Sequence, residues 1–339
     1  MNQEQIEEYL NDLLEESEDE LDQVFINRLK AMREWLAELY RKYPDGESIN
    51  RTEIYKYKRF QKELEFIKGN IQDDYKQAYT LVAGLMSSQY TENYLRSGHI
   101  YEMTTQTDMD YVIPSAQTIT EAVTNPIKEL TLNSVLNQHR NEILRRIRIE
   151  LGQGIQAGES YTNMAKRLEK ALDFSRTKAR RVARTESGRA QTLGRLKSGE
   201  QASQYADLTK YWLSEMDKRT RRAHRDLDDR KADDEGYFNY RGMKARGPSL
   251  WGVASMDINC RCDIFYTVNG QKPALRRARD YDDSEYQKRL AERTEEIMAD
   301  EGKTEKQAER KAKKQVYPPS KVIEYMDYDK WYQSLKDKS

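Results

Sequence analysis

The sequence is poor in several things at once. Among 339 residues there are two cysteines, three histidines and seven prolines. No run of about 18 apolar residues occurs, which excludes a membrane-spanning helix; the longest apolar stretch, Leu81–Met86, is interrupted by Gly84. The first residues lack a basic stretch followed by an apolar one, so no secretory signal is expected. Cys260 and Cys262 are too close together for a disulfide framework and point to synthesis in a reducing cytoplasm. Neither sign of charge dominates, with 58 basic and 58 acidic residues. A neutral chain is not expected to coat nucleic acid along its whole surface, although a local basic face remains open to it. Hydrophobic residues make up 37% and charged residues 34%, against about 45–50% and about 25% in ordinary globular chains. The 23 tyrosines and 11 methionines keep the chain out of the disordered class.

What is present is unevenly placed. Residues 1–27 carry no Lys or Arg but many acids, Glu18 and Asp22 among them. Residues 171–231 are basic in sum, and Lys303 to Lys314 form a further basic patch. Such asymmetry predicts ends that meet different partners; solvated helix faces are the plainer account. Ile6, Tyr9, Leu10, Leu13 and Leu14 repeat at one-face helical spacing, continued by Phe25, Leu29, Met32, Leu36 and Leu39 up to a stop at Pro44-Asp45-Gly46. Tyr57, Phe60, Leu64, Ile67 and Ile71 mark a second helix, and Leu132, Leu136, His139, Ile143 and Ile147 a third. These stripes break before four heptads, so they read as intramolecular core rather than coiled coil. Gly152, Gly154 and Gly158 end the third; Ser160 or Thr162 caps the next helix and Ser175 another.

After about residue 205 the pattern changes. Leu208–Leu213, Tyr237–Tyr240 and Cys262–Val268 are rich in aromatic and β-branched residues and predict short strands, the last followed by an Asn269-Gly270 turn. Residues 273–315 read as charged helix, and a tail with Tyr325, Tyr328, Trp331 and Tyr332 follows, either a docking segment or a strand of chain folded back on its own core. The expected fold class is α+β: a mostly helical N-terminal half, a small mixed α+β central module and a charged helical C-terminal tail. The corresponding divisions are 1–124, 125–270 and 271–339.

The unusual residues cluster between 183 and 262. In order they are Ala183-Arg184-Thr185-Glu186, Trp212, Asp217-Lys218-Arg219-Thr220-Arg221, His224, Leu227-Asp228 and Asn259-Cys260-Arg261-Cys262. Each piece alone is weak. The ordered set resembles the Mu F-like phage head morphogenesis family, the minor head proteins of tailed bacteriophages, in which an A-R-T-E box, a Trp-bearing strand, a D-x-R-T-R-x-x-H segment and an N-C-R-C box follow one another. The resemblance covers roughly residues 125–270 and departs from the family at Asp229, where a glycine is expected. It implies a low-copy, non-enzymatic virion protein inside the phage head, made in the host cytoplasm. The implied partners are the portal protein, packaged double-stranded DNA, and scaffold or major capsid protein, and the chain would leave with the genome. Arg184, Glu186, Trp212, Asp217, Arg219, Arg221, His224, Asp228, Asn259 and Arg261 become candidates for a polar network or a partner surface.

Three chemistries compete for these residues. A structural zinc wants four N or S ligands; His224, Cys260 and Cys262 are available, with Asp217 or Asp228 as a fourth, against two simply buried thiols. His224 with Asp217, Asp226, Asp228 and Asp229 suggests a metal-dependent nuclease delivered with the DNA, while Arg184 and Glu186 suggest a nucleotide-dependent transferase. No phosphate-cradling G-x-x-x-x-G-K loop, G-x-S-x-G elbow or H-E-x-x-H helix accompanies them. Finally, Arg176, Lys178, Arg180, Arg181, Arg184, Arg189 and Arg195 lie along one helix, and several of them would project together to contact DNA phosphates without reading sequence. Arg176, Arg180 and Arg181 there, with Lys311, Lys313 and Lys314 in the later patch, are the DNA-binding candidates.

Overall fold

The structure, a computed structural model, describes residues 3–42, 44–45, 48–49 and 59–337; Gly46 and Tyr57 lie outside the described residues. Four long helices form the body: α1 (Gln3–Lys42), α2 (Arg59–Thr105), α4 (Leu132–Ala157) and α5 (Tyr161–Ala202). Between α1 and α2, β1 (Pro44–Asp45) pairs antiparallel with β2 (Ser48–Ile49). The short α3 (Ala116–Val123) and a 3-10 turn (Lys128–Leu130) join α2 to α4.

The apolar stripes find one another. Leu21, Phe25, Met32, Leu36 and Leu39 of α1 and Leu64, Ile67 and Ile71 of α2 share a buried core with Leu136, Ile143 and Ile147 of α4 and with Leu168, Val182 and Ala190 of α5. This core runs from Leu21 to Ala190, so the expected division at 124 falls within one packed unit. Thr131 and Ser160 cap α4 and α5 through their hydroxyls, accepting from the backbone N–H of Ser134 and Asn163. Gly158, at φ 65°, ends α4, whereas Gly152 and Gly154 lie inside it. Ser175 caps nothing: α5 runs through it, and its buried hydroxyl lies 2.7 Å from that of Tyr75 on α2. Tertiary bonding has captured a side chain that would otherwise cap a helix.

From 208 onward the chain is mixed. β3 (Leu208–Leu213) pairs antiparallel with β6 (Asp263–Val268), Trp212 opposite Ile264. Between them lie α6 (Arg222–Arg225), a pair of three-residue strands, β4 (Phe238–Tyr240) and β5 (Met243–Ala245), and α7 (Ala254–Asp257). Asn269 and Gly270 both take positive φ, 50° and 81°, as the expected turn requires. Trp212, Phe238, Trp251, Ile264 and both cysteines fill a second core. The tail differs from an all-helical reading: β7 (Leu275–Arg279) pairs antiparallel with β8 (Ser320–Glu324), around α8 (Ser284–Glu301) and α9 (Glu305–Ala312), before α10 (Tyr328–Asp337). Among the described residues no helix is long and apolar enough to cross a membrane.

Two glycines of α5 set how closely its neighbours approach. A Cβ on Gly188 would stand 3.3 Å from the Cys260 carbonyl oxygen. One on Gly194 would overlap the Tyr90 carbonyl oxygen, with the Tyr90 carbonyl carbon only 3.1 Å away. That neighbour is helix backbone and cannot swing aside. Gly194→Ala should therefore destabilise the protein by about 1–3 kcal/mol despite alanine's better helix propensity. A lower urea midpoint at unchanged slope would show it; an unchanged or raised midpoint would refute the close-approach account.

Candidate functional site

The motif residues meet behind the β3–β6 pair. Asp217, just past β3, is fully buried. Its carboxylate accepts the Arg219 backbone N–H at 2.8 Å, the Arg219 guanidinium at 2.8 Å, the Arg261 guanidinium at 2.6 Å and the Tyr281 hydroxyl at 2.7 Å. Burial alone would push its pKa up. The hydrogen bonds from Arg219 and the charges of Arg261 and Arg219 outweigh that and hold it well below the ordinary carboxylate range. The D-x-R-T-R segment, the N-C-R-C box and the tail are thereby tied to one carboxylate.

Asp228 makes a second centre. It accepts the Ser214 backbone N–H at 2.8 Å, both terminal nitrogens of Arg276 at 2.6 and 2.9 Å, and the Tyr328 backbone N–H at 2.7 Å. Next to it, Asp229 occupies the left-handed region at φ 57° and donates its N–H to the Trp212 carbonyl at 3.0 Å. The turn that glycine was expected to make is thus made here by an aspartate, a residue that tolerates this conformation better than most. Arg221 donates to the Met256 carbonyl at 3.1 Å and to that of Ile258, pinning the loop before the N-C-R-C box. Asn259, at φ 53°, donates its N–H to the Thr185 hydroxyl at 3.1 Å, which joins that box to the A-R-T-E helix.

The third centre is His224 with the two cysteines, all buried. The ring Nδ1 lies 3.3 Å from Cys262 Sγ and 3.4 Å from Cys260 Sγ. Trp212 meets the ring edge-on, centroids 5.5 Å apart. Hydrogen bonds from Cys262 and then His224 pull the Cys260 thiol down, against its burial; burial and the neighbouring Cys260 push Cys262 up.

Other expected groupings do not form. Arg184 pairs with Glu18 of α1 and lies 5.6 Å from the Tyr317 ring centre; Glu186 pairs with Arg189 at 2.7 Å. Asp217, Asp228 and Asp229 face cations, Asp229 being held by Lys272 at 2.7 Å, and none joins His224 in a ligand-like cluster. Three of the four acids of the nuclease reading are therefore occupied by cations, and the fourth, Asp226, accepts the Tyr240 hydroxyl at 3.0 Å. The expected basic face is also largely neutralised. Arg180 pairs with Glu18 at 2.6 Å and Asp22 at 3.0 Å, and Arg176 pairs with Asp173 at 2.8 Å. Arg189 and Arg195 point inward; Arg195, fully buried, pairs with Asp263 at 2.6 Å and donates to the Ile264 carbonyl at 2.8 Å. Lys311 pairs with Glu301 and Lys313 with Glu309. Exposed Arg181 and Lys314 meet no carboxylate among the described residues. His139 is half-buried in the α4 face, its pKa lowered to about 4 by burial and then by Lys178.

The aromatic tail folds back: Tyr328 and Trp331 are buried against Met216 and Ala278, and the Tyr328 hydroxyl donates to the Asp217 carbonyl at 2.8 Å. Sequence reasoning missed Arg276 and Tyr281, and it read Arg195 as part of a DNA-facing stripe where the structure buries it. In Leu275–Arg279 the burial alternates, with Arg276 and Ala278 inward, a period-2 signal disguised by charge as solvated helix.

Asp217 generates a pH prediction. Its folded pKa lies below the unfolded value of about 3.9, so its contribution is complete above about pH 4 and is lost as pH falls further. Asp217→Asn should cost about 3–5 kcal/mol at pH 7, as removal of one partner from a buried ion cluster does. Denaturant titrations should show the gap between variant and parent closing below about pH 4; a gap independent of pH would refute the charged-carboxylate account.

Residues 145–265 match the family described as Phage Mu protein F like protein. The chain is 39% identical to the Minor head protein GP7 of Bacillus phage SPP1 over 279 residues, 82% of this chain and 91% of that protein. It is 31% identical over 197 residues, 58% of its length, to the NAD(+)--arginine ADP-ribosyltransferase EFV of Enterococcus faecalis, of which the match spans 40%. No solved structure matches. The family span holds the A-R-T-E helix, Trp212, the segment from Asp217 to His224, Asp228 and the N-C-R-C box, while Arg276, Tyr281 and Tyr328, which complete the two carboxylate centres, lie beyond it. The chain belongs to the Mu F-like phage head morphogenesis family.

Proposed function

We propose that this chain is a minor head protein that acts in phage head morphogenesis, is made in the host cytoplasm, docks on the portal protein, is carried in the virion and leaves the head with the genome. The observation that carries the reading is the 39% identity that extends over 91% of a phage minor head protein. The internal geometry supports an assembly role over catalysis. Asp217 is held by Arg219 and Arg261, and Asp228 by Arg276, so these two buried acids of the motif serve the fold. Arg184 and Glu186, the pair that suggested a transferase, are engaged with Glu18 and Arg189. The shared segment is under half of the transferase, so transferase activity is not carried to this chain.

With the tail aromatics folded inward, the apolar side chains most open to a partner are Met103, Val112 and Ile113, which are 66%, 68% and 77% exposed. They lie at the end of α2 and in the connection that follows it. The adjacent exposed pair Val112-Ile113 is where this proposal puts the portal contact. Co-expression with the portal protein, followed by size-exclusion chromatography with light scattering, should yield a complex of defined stoichiometry. Val112→Asp combined with Ile113→Asp should weaken that complex while leaving the urea midpoint nearly unchanged. A chain that elutes alone at low and moderate salt would overturn portal docking.

Packaged DNA enters this proposal as a second partner through exposed Arg181 and Lys314, which pair with no acid among the described residues. Two phosphate contacts predict a shallow salt dependence of DNA binding, a log–log slope of about −2. A slope several times steeper would mean that the paired arginines Arg176 and Arg180 exchange their carboxylates for phosphate.

A further inference from the structure

Residues 260–262 lead into β6, and the three side chains of this C-x-C divide between two sides. Arg261 reaches Asp217 at 2.6 Å, while both cysteine sulfurs lie against the His224 ring. Alternate residues of an extended chain point to the same face, which is how two thiols one residue apart can converge. His224 arrives from α6, 36 residues before Cys260 and 38 before Cys262. The three potential ligand atoms lie within 4.8 Å of one another, and the residues are 2%, 4% and 8% exposed.

These distances suit a shared metal better than a shared proton. With Zn–N near 2.0–2.1 Å and Zn–S near 2.3 Å, a tetrahedral site has an N···S edge of about 3.5 Å. The two edges here are 3.3 and 3.4 Å. A hydrogen on Nδ1, or one donated to it by a thiol, serves one of these edges at a time. A cation at the centre serves both together and also offsets the burial of two thiolates. No fourth His, Cys, Asp or Glu joins the group among the described residues. Asp217 and Asp228, the acids that might have done so, are held by Arg219, Arg261 and Arg276.

We propose that His224, Cys260 and Cys262 form a zinc-class metal site with a non-protein ligand, such as water, in the fourth position. The metal would clip α6 to the entry of β6 under the edge of Trp212, and its role would be to hold the module together. This assignment goes beyond the head-assembly reading and does not depend on it. Because the ligands are thiolates and a neutral imidazole, uptake would release protons and weaken at low pH.

The test uses the full chain purified under reducing conditions. Elemental analysis should find about one zinc per chain. Metal-free protein should gain thermal stability on addition of zinc and, with cobalt, develop sulfur-to-metal absorption and tetrahedral visible bands. His224→Ala and Cys262→Ser should each raise the zinc dissociation constant at least about tenfold, the lower end of the loss seen on disturbing even an outer partner of a metal site. The wild-type cobalt spectrum keeps the test decisive should a variant fail to fold. Less than about a tenth of an equivalent of zinc, together with no thermal shift and no cobalt–sulfur band, would overturn the proposal. So would a native mass showing the two thiols joined as a disulfide.

Discussion

A carboxylate with no exposure to water is tolerable only when cations and hydrogen-bond donors replace its hydration. At Asp217 those donors come from Arg219 beside it and from two distant parts of the chain, Arg261 of the N-C-R-C box and Tyr281 of the tail. The same residue's carbonyl accepts the Tyr328 hydroxyl. Asp217 thus fixes where the strand pair, the box and the tail stand relative to one another. Asp228 repeats the device with Arg276 and the Tyr328 backbone. Two buried carboxylates, each answered by arginine from later in the chain, are the reason that a tail rich in charge packs as part of the module.

The helical body is joined to this module by a similar logic. Arg195 of α5 is buried between Asn93 of α2 and Asp263 of β6, so one guanidinium addresses both parts. Gly188 lets the Cys260 carbonyl come close to α5, and the Thr185 hydroxyl takes the Asn259 N–H. Around the middle of α5, Glu18 and Asp22 of the acidic first helix answer Arg180 and Arg184. The opposite charges that a linear reading assigns to separate partners are, in large part, partners of each other. The resulting surface has fewer free cations than the composition of α5 suggests.

Much of the fold is legible in the sequence because it depends on local periodicity. The stripes of α1, α2, α4 and α5, the cap at Ser160, the end of α4 at Gly158, the aromatic strands and the Asn269-Gly270 turn all follow from spacing and side-chain type. The ordered motifs from Ala183 to Cys262 point to the family, since their sequence order survives without any knowledge of contacts. At 229 the departure from the family's glycine leaves the turn in question, and the structure keeps it with the aspartate at φ 57°.

What the tertiary structure alone decided is which charges face which. Nothing in the spacing says that Arg195 turns inward while Arg181 stays out, that Arg276 lies on the buried face of a strand, or that Glu18 waits for Arg184. Ion pairing depends on the distance between side chains in space, and those pairs are separated by 48 to 166 residues. The same holds for His224 and the cysteines: the sequence supplies ligand-bearing residue types, and only the packing of α6 against β6 brings one nitrogen and two sulfurs to a common point. Local periodicity determined the elements. Long-range electrostatics, acting through buried carboxylates that must be satisfied, determined how they lock.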